Sequence, residues 1–155
     1  PGTYCLILSA KDGLVIAVGS LGSLALRPGY YAYIGSAFGP GGLRSRLSHH
    51  LRKTARPHWH IDYLRQMAEI GEIWLTYDAL RREHDWAAVM GELPGAVIPL
   101  PRFGASDCGC PAHLFYFEEC PSFQIFWRRL QRIFPLHALV HRTLHAPWAC
   151  GFLWN

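Results

Sequence analysis

Two tyrosines close apolar runs near the start of the chain: Tyr4 in Gly2-Thr3-Tyr4, and Tyr33 in Gly29-Tyr30-Tyr31-Ala32-Tyr33-Ile34-Gly35. Arg46 and His50 follow, four residues apart. Two phenols, a guanidinium and an imidazole suit hydrolysis at phosphorus. That reaction needs a base for an in-line water and positive charge against the non-bridging and leaving oxygens. Binding a phosphate without cleaving it would need only the basic residues. Aromatic residues ending a strand at glycine are ordinary β chemistry, so the combination carries the reading rather than either tyrosine alone. A tyrosine titrates near 10 when unperturbed, and it serves as a base only where nearby positive charge favours the phenolate. Residue type leaves Tyr4 and Tyr33 both open for that role.

The elements around these residues read as one mixed domain. Residues 3–9 form a β-rich run ending at the Lys11-Asp12-Gly13 turn signal. Strands are expected over 14–18, 21–26 and 30–35, giving a mostly antiparallel start. Gly39-Pro40-Gly41-Gly42 then punctuates the chain, and Leu43, Leu47 and Leu51 recur at helical spacing through 43–53. Arg46 and His50 share one face of that helix. Further helices are expected over 60–68, 79–90 and 122–134, the last capped by Ser122, with strands over 73–77 and 114–117. The expected fold is therefore α/β, a small mostly antiparallel sheet flanked by helices. A core unit over 1–120 would carry a helical extension over 121–155, packed through Leu139, Leu144, Trp148, Phe152 and Trp154.

Charge is unevenly distributed. Between Asp12 and Asp62 lie Arg27, Arg44, Arg46, Arg52, Lys53 and Arg56 and no acid, whereas the other nine basic and eleven acidic residues net −2. A basic face of this kind suits a phosphate backbone, with Arg44, Arg52, Lys53 and Arg56 as contacts and Trp59 for unstacked bases. At 155 residues and 50% hydrophobic composition the chain can bury a core without staples. No apolar run reaches membrane-spanning length, so no membrane partner is expected. Five cysteines without framework spacing suggest free thiols, a reducing compartment and a cytoplasmic location.

Gly2-Thr3-Tyr4, Tyr33-Ile34-Gly35 and Arg46-Leu47-Ser48-His49-His50 together resemble the active-site skeleton of the GIY-YIG nucleases, with Thr3 in place of isoleucine. The resemblance implies a divalent-metal-dependent DNA endonuclease, of use in repair or recombination. It makes Tyr4 the first choice of base, Arg46 the transition-state clamp, and Tyr33 and His50 the groups that orient water or phosphate. It also implies Glu83 as ligand to Mg²⁺ or Mn²⁺, with Asp62 in reserve and Asp85 behind it. The interval from Tyr4 to Tyr33 is long for the family, as is the glycine-rich approach to the first helix.

His58-Trp59-His60-Ile61-Asp62-Tyr63-Leu64 and the run from Ser106 to Phe115 are similar to signatures of a GIY-YIG-like subfamily sometimes joined to endonuclease III-type enzymes, which implies a repair-protein partner. The alternative is a binding module that keeps the fold without the chemistry. Cys108, Cys110 and His113 also suit a structural zinc, with His58 or His60 as a fourth ligand, although the cysteine spacing is tight. A hydrogen-bonded turn is the competing expectation there, and His84, His137, His141 and His145 read as surface or packing residues.

Overall fold

In the strand β1 (Thr3–Ala10) every residue but Ser9 is buried, because the strand is flanked on both edges and covered on both faces. In the computed structural model, which describes residues 1–145, β1 pairs antiparallel with β4 (Gly29–Ser36) on one edge and with β5 (Glu69–Thr76) on the other. The outer strands are β6 (Leu114–Phe117) against β4 and β7 (Val140–Leu144) against β5. The five-stranded order is β6-β4-β1-β5-β7, antiparallel throughout.

Successive residues of a strand point to opposite faces, and this splits the core in two. Tyr4, Leu6, Leu8, Tyr31 and Tyr33 face one layer. Against it pack α1 (Gly42–Leu51), through Leu43 and Leu47, and α2 (His60–Arg65), through Ile61 and Leu64. Cys5, Ile7, Ala32, Ile34 and Trp74 face the other layer, covered by α3 (Glu83–Gly91) and α4 (Phe123–Ile133). Ser122 caps α4 by accepting from the Ile125 N–H, as expected. The long interval between the tyrosines becomes a separate hairpin, β2 (Leu14–Val18) with β3 (Gly22–Leu26), whose Val18, Leu24 and Leu26 close the first layer.

Three expectations change. The helix expected from residue 79 starts at Glu83, because Asp78 accepts from the Leu80 N–H and holds a turn there. The extension is helical over α4 but then becomes β7, since Val140-His-Arg-Thr-Leu144 finds the open edge of β5. Cys120 is disulfide-bonded while Cys5, Cys108 and Cys110 are free, so the argument from five free thiols to a compartment loses its premise; spatial pairing is not legible in spacing. Trp148, Phe152 and Trp154 lie outside the described residues. No helix among the described residues is long and apolar enough to cross a membrane.

The β5–β7 junction is held by charge. Glu72 is fully buried, and Arg142 on β7 donates to both its oxygens, at 2.8 and 3.0 Å, while Trp74 Nε1–H donates at 2.8 Å. Removing one partner of a buried pair strands the other charge. Arg142→Met should therefore destabilise the protein by about 3 to 5 kcal/mol in urea unfolding. The double variant Arg142→Met/Glu72→Gln should recover part of that loss; no recovery would mean that Arg142 acts through packing alone.

Candidate active site

Two glycines of the motif tripeptides are required by close approach. A Cβ at Gly35 would sit 2.4 Å from Tyr4 Oη, and one at Gly2 would sit 2.2 Å from the Thr76 carbonyl oxygen. The β1–β4 register places Tyr4 opposite Gly35, so the Tyr4 ring crosses a strand that has no side chain to block it. Beyond it the hydroxyl meets His50 Nε2 at 2.6 Å. Arg46 and His50, one turn apart on α1, thus address the same place from the helix side.

Tyr4 is fully buried, and burial drives its phenol well above the ordinary range; Tyr33 adds to that rise while Arg46 pulls it down. Burial likewise raises Tyr33, with Glu83 adding and Arg46 opposing. Burial and then the neighbouring His49 lower His50 to about 3, so its imidazole is neutral at physiological pH. One of its nitrogens, Nδ1, is buried without a hydrogen-bond partner, and the Nε2–H tautomer would donate to the Tyr4 oxygen while leaving only an acceptor unpaired.

A polar cleft of about 460 Å³ opens over this group, with Tyr33, Ser36, Arg46, Trp59, Arg81 and Glu83 in its wall. Tyr33, although largely buried, forms part of the cleft wall, while Tyr4 and His50 lie behind it. The Arg46 guanidinium stacks on the Trp59 ring, 4.4 Å from its centre, so Trp59 serves as a shelf that aims Arg46. Glu83 opens α3, and its Oε1 lies 2.9 Å from His113 Nδ1. That contact lacks the geometry of a hydrogen bond, and His113 Nδ1 remains buried without one. Burial works against ionising Glu83, but His113, Ser36 and His84 outweigh it and hold the carboxyl below its usual range. An ionised carboxylate in an open polar cleft is the donor a hard divalent cation takes.

The other predicted residues divide. Asp62 sits at the third position of α2 and accepts from the His58 and Trp59 N–H groups at 2.9 and 3.0 Å, with His49 Nε2 2.9 Å away. It is engaged as a helix-start cap and does not line the cleft. Asp85 contacts Arg82 at 3.4 Å. Arg44, Arg52 and Arg56 are exposed, while Lys53 is tied to Glu69 at 2.6 Å. Cys108, Cys110 and His113 do converge, but the fourth neighbour is His84; His60 instead accepts from the Gly104 N–H at 2.9 Å, and His58 lines the cleft. Arg81, Ser36 and Asp107 also line the cleft and were not singled out; the Arg81-Arg82 pair directly before Glu83 was the available signal.

Residues 3–134 match the family described as "Domain of unknown function DUF123". The chain belongs to that family. DUF123 is GIY-YIG-like, and no activity is attached to its description. Neither a curated protein nor a solved structure matches the chain. The match begins at the residue before Tyr4 and ends beside the last residue of α4, so every cleft residue above falls inside the DUF123 domain.

Two outcomes follow. Because His50 titrates at about 3 when folded and near 6.5 when unfolded, its contribution is complete above about pH 6.5 and is lost as pH falls toward 3. The slope is at most about 1.4 kcal/mol per pH unit. Unfolding at pH 7 and pH 5 should show a larger loss for the natural protein than for His50→Asn; equal losses would place the titration elsewhere. Gly35→Ala should cost about 1 to 3 kcal/mol by forcing the buried Tyr4 ring aside, read by urea unfolding.

Proposed function

We propose that this DUF123 domain is a divalent-metal-dependent DNA endonuclease. The observation that carries the reading is the meeting of Tyr33, Arg46 and Glu83 in one cleft, with Tyr4 and His50 directly behind it. Glu83 would hold Mg²⁺ or Mn²⁺ with few other protein ligands, which suits an ion that keeps several waters. When bound, that ion would lower the charge cost at the phosphoryl oxygens and favour an ionised nucleophile.

The chain's own residues then have separate tasks. Arg46, held by Trp59, directs a guanidinium at the phosphate, where charge grows in the transition state. Tyr33 faces the cleft and can touch the attacking water, whereas Tyr4 reaches it only through the wall. This exchanges the order of preference: Tyr33 is favoured as the group that takes the proton, and the Tyr4–His50 pair orders the wall and tunes its charge. Both phenols are protonated unless extra positive charge reaches them, so the base requires a loaded cleft. Exposed Arg44, Arg52 and Arg56 would follow the DNA backbone on the α1 side.

A second reading, a binding module without chemistry, draws on the contact between Glu83 and His113, which occupies one carboxylate oxygen. Purified protein assayed on single-stranded, duplex, flap and junction DNA with Mg²⁺ or Mn²⁺ separates the two. Arg46→Ala should slow single-turnover cleavage by roughly 10²- to 10³-fold with little change in DNA affinity. Glu83→Gln should abolish cleavage and preserve most binding, while Arg52→Ala should weaken binding and flatten its salt dependence. No cleavage with either metal, with Arg46→Ala losing affinity as Arg52→Ala does, would leave the binding module as the better account.

A further inference from the structure

We infer that His84, Cys108, Cys110 and His113 form a zinc site that braces the Glu83 wall of the cleft. The ligand atoms of the four side chains lie within 4.8 Å of one another. Cys108 Sγ and His113 Nε2 are 3.5 Å apart, and a tetrahedral zinc with one sulfur and one nitrogen ligand sets that separation at about 3.6 Å. Two thiolates and two imidazoles are a borderline-soft set that selects zinc over the hard, oxygen-seeking magnesium and calcium.

The loop is arranged for ligation before any ion arrives. Arg102 donates from Nη1 to the carbonyl oxygens of both Cys108 and Cys110, which holds the short Cys-Gly-Cys turn in one shape. The His113 N–H donates to the Phe103 carbonyl at 2.8 Å, directly before β6 begins. His84 comes from the first turn of α3, so an ion bound here would join that helix to the 102–113 loop. A depression of about 220 Å³ lined by Arg81, Glu83, His84, Asp107 and Cys108 gives access from solvent.

A second observation points the same way. His113 is buried, and its Nδ1 has no hydrogen bond although Glu83 Oε1 is 2.9 Å away. Ligation through Nε2 would fix the proton on Nδ1 and turn it to the carboxylate, the arrangement in which a ligating histidine is oriented by an acid beyond it. Glu83 would then be shared between the zinc's outer surroundings and the cleft. The metal site stands on its own geometry, and only its bearing on Glu83 as a catalytic group rests on the endonuclease reading.

The test is metal analysis of the full chain, purified under reducing conditions without chelator. About one zinc per chain is expected, and replacement by Co²⁺ should give thiolate-to-metal charge-transfer absorption with the intense d–d bands of a tetrahedral centre. His84→Ala alters an exposed side chain, so the fold should survive while zinc affinity falls by roughly 10²-fold or more. Glu83→Gln should keep the thiolate bands and weaken zinc by about 10- to 100-fold. Substoichiometric zinc with no thiolate band for Co²⁺, or a folded His84→Ala that binds zinc as tightly as the natural protein, would overturn the site. A zinc-loaded protein that cuts no DNA would sink the endonuclease reading alone, and a zinc-free protein that cuts would sink this one alone.

Discussion

The pairing of β1 with both β4 and β5 governs everything placed around it. β1 has no free edge and no exposed face, so its register is set twice, once by each neighbour, and its side chains divide strictly between two layers. A slip of one residue would send Tyr4 into the α3–α4 layer and Cys5 toward α1, exchanging a hydroxyl that has His50 waiting for it with a thiol that does not. The same register sets Thr3 opposite Thr76 on one side and Ser36 on the other, where Thr3 accepts from the Arg82 N–H and Ser36 lines the cleft next to Glu83. One strand thereby locates both the phenol and the start of the carboxylate helix.

The helical layer is locked onto that strand by a few buried polar contacts. Arg65 reaches back from α2 to the carbonyls of His50 and Ala68, at 2.8 and 2.6 Å, and covers the end of α1 that carries His50. Asp62 ties the start of α2 to His49 on the same helix. A positively charged side chain over helix-end carbonyls and an acid at a helix start are each favourable alone. Here they also keep Arg46 and His50 from rotating about the α1 axis. The acid that looked like a spare ligand is committed to holding the helix that holds the arginine.

The region from 78 to 113 shows how much of a site can be built outside regular structure. Asp78 joins the turn before α3 to the chain before β7, with the Arg82 Nε–H and the Ala138 N–H both donating to Oδ2. Arg102, at a φ of 69°, turns the following loop so that Gly104 comes against Tyr33 and His60. Left-handed backbone at a non-glycine is uncommon, and Arg102 offsets it by bonding the two cysteine carbonyls. Composition offers no rule for such a loop.

Sequence alone determined the strands of the first half, β6, the helix carrying Arg46 and His50, and the shared residue types of Tyr4, Tyr33 and Arg46 that suit phosphate chemistry. Those features are written in short-range patterns: alternation, three- and four-residue spacing, and glycine where a strand must be approached closely. Tertiary structure decided what depends on contact between distant segments. It buried Tyr4 behind the cleft and set Tyr33 in the cleft wall, engaged Asp62 in capping, brought Arg81 into the wall, and paired β7 with β5 in place of a wholly helical extension. It also brought His84 to the two cysteines from some twenty-five residues away, which no local spacing could announce. A side chain's chemistry is set by its type, but its partner, solvent access and protonation follow from which elements the two core layers press together.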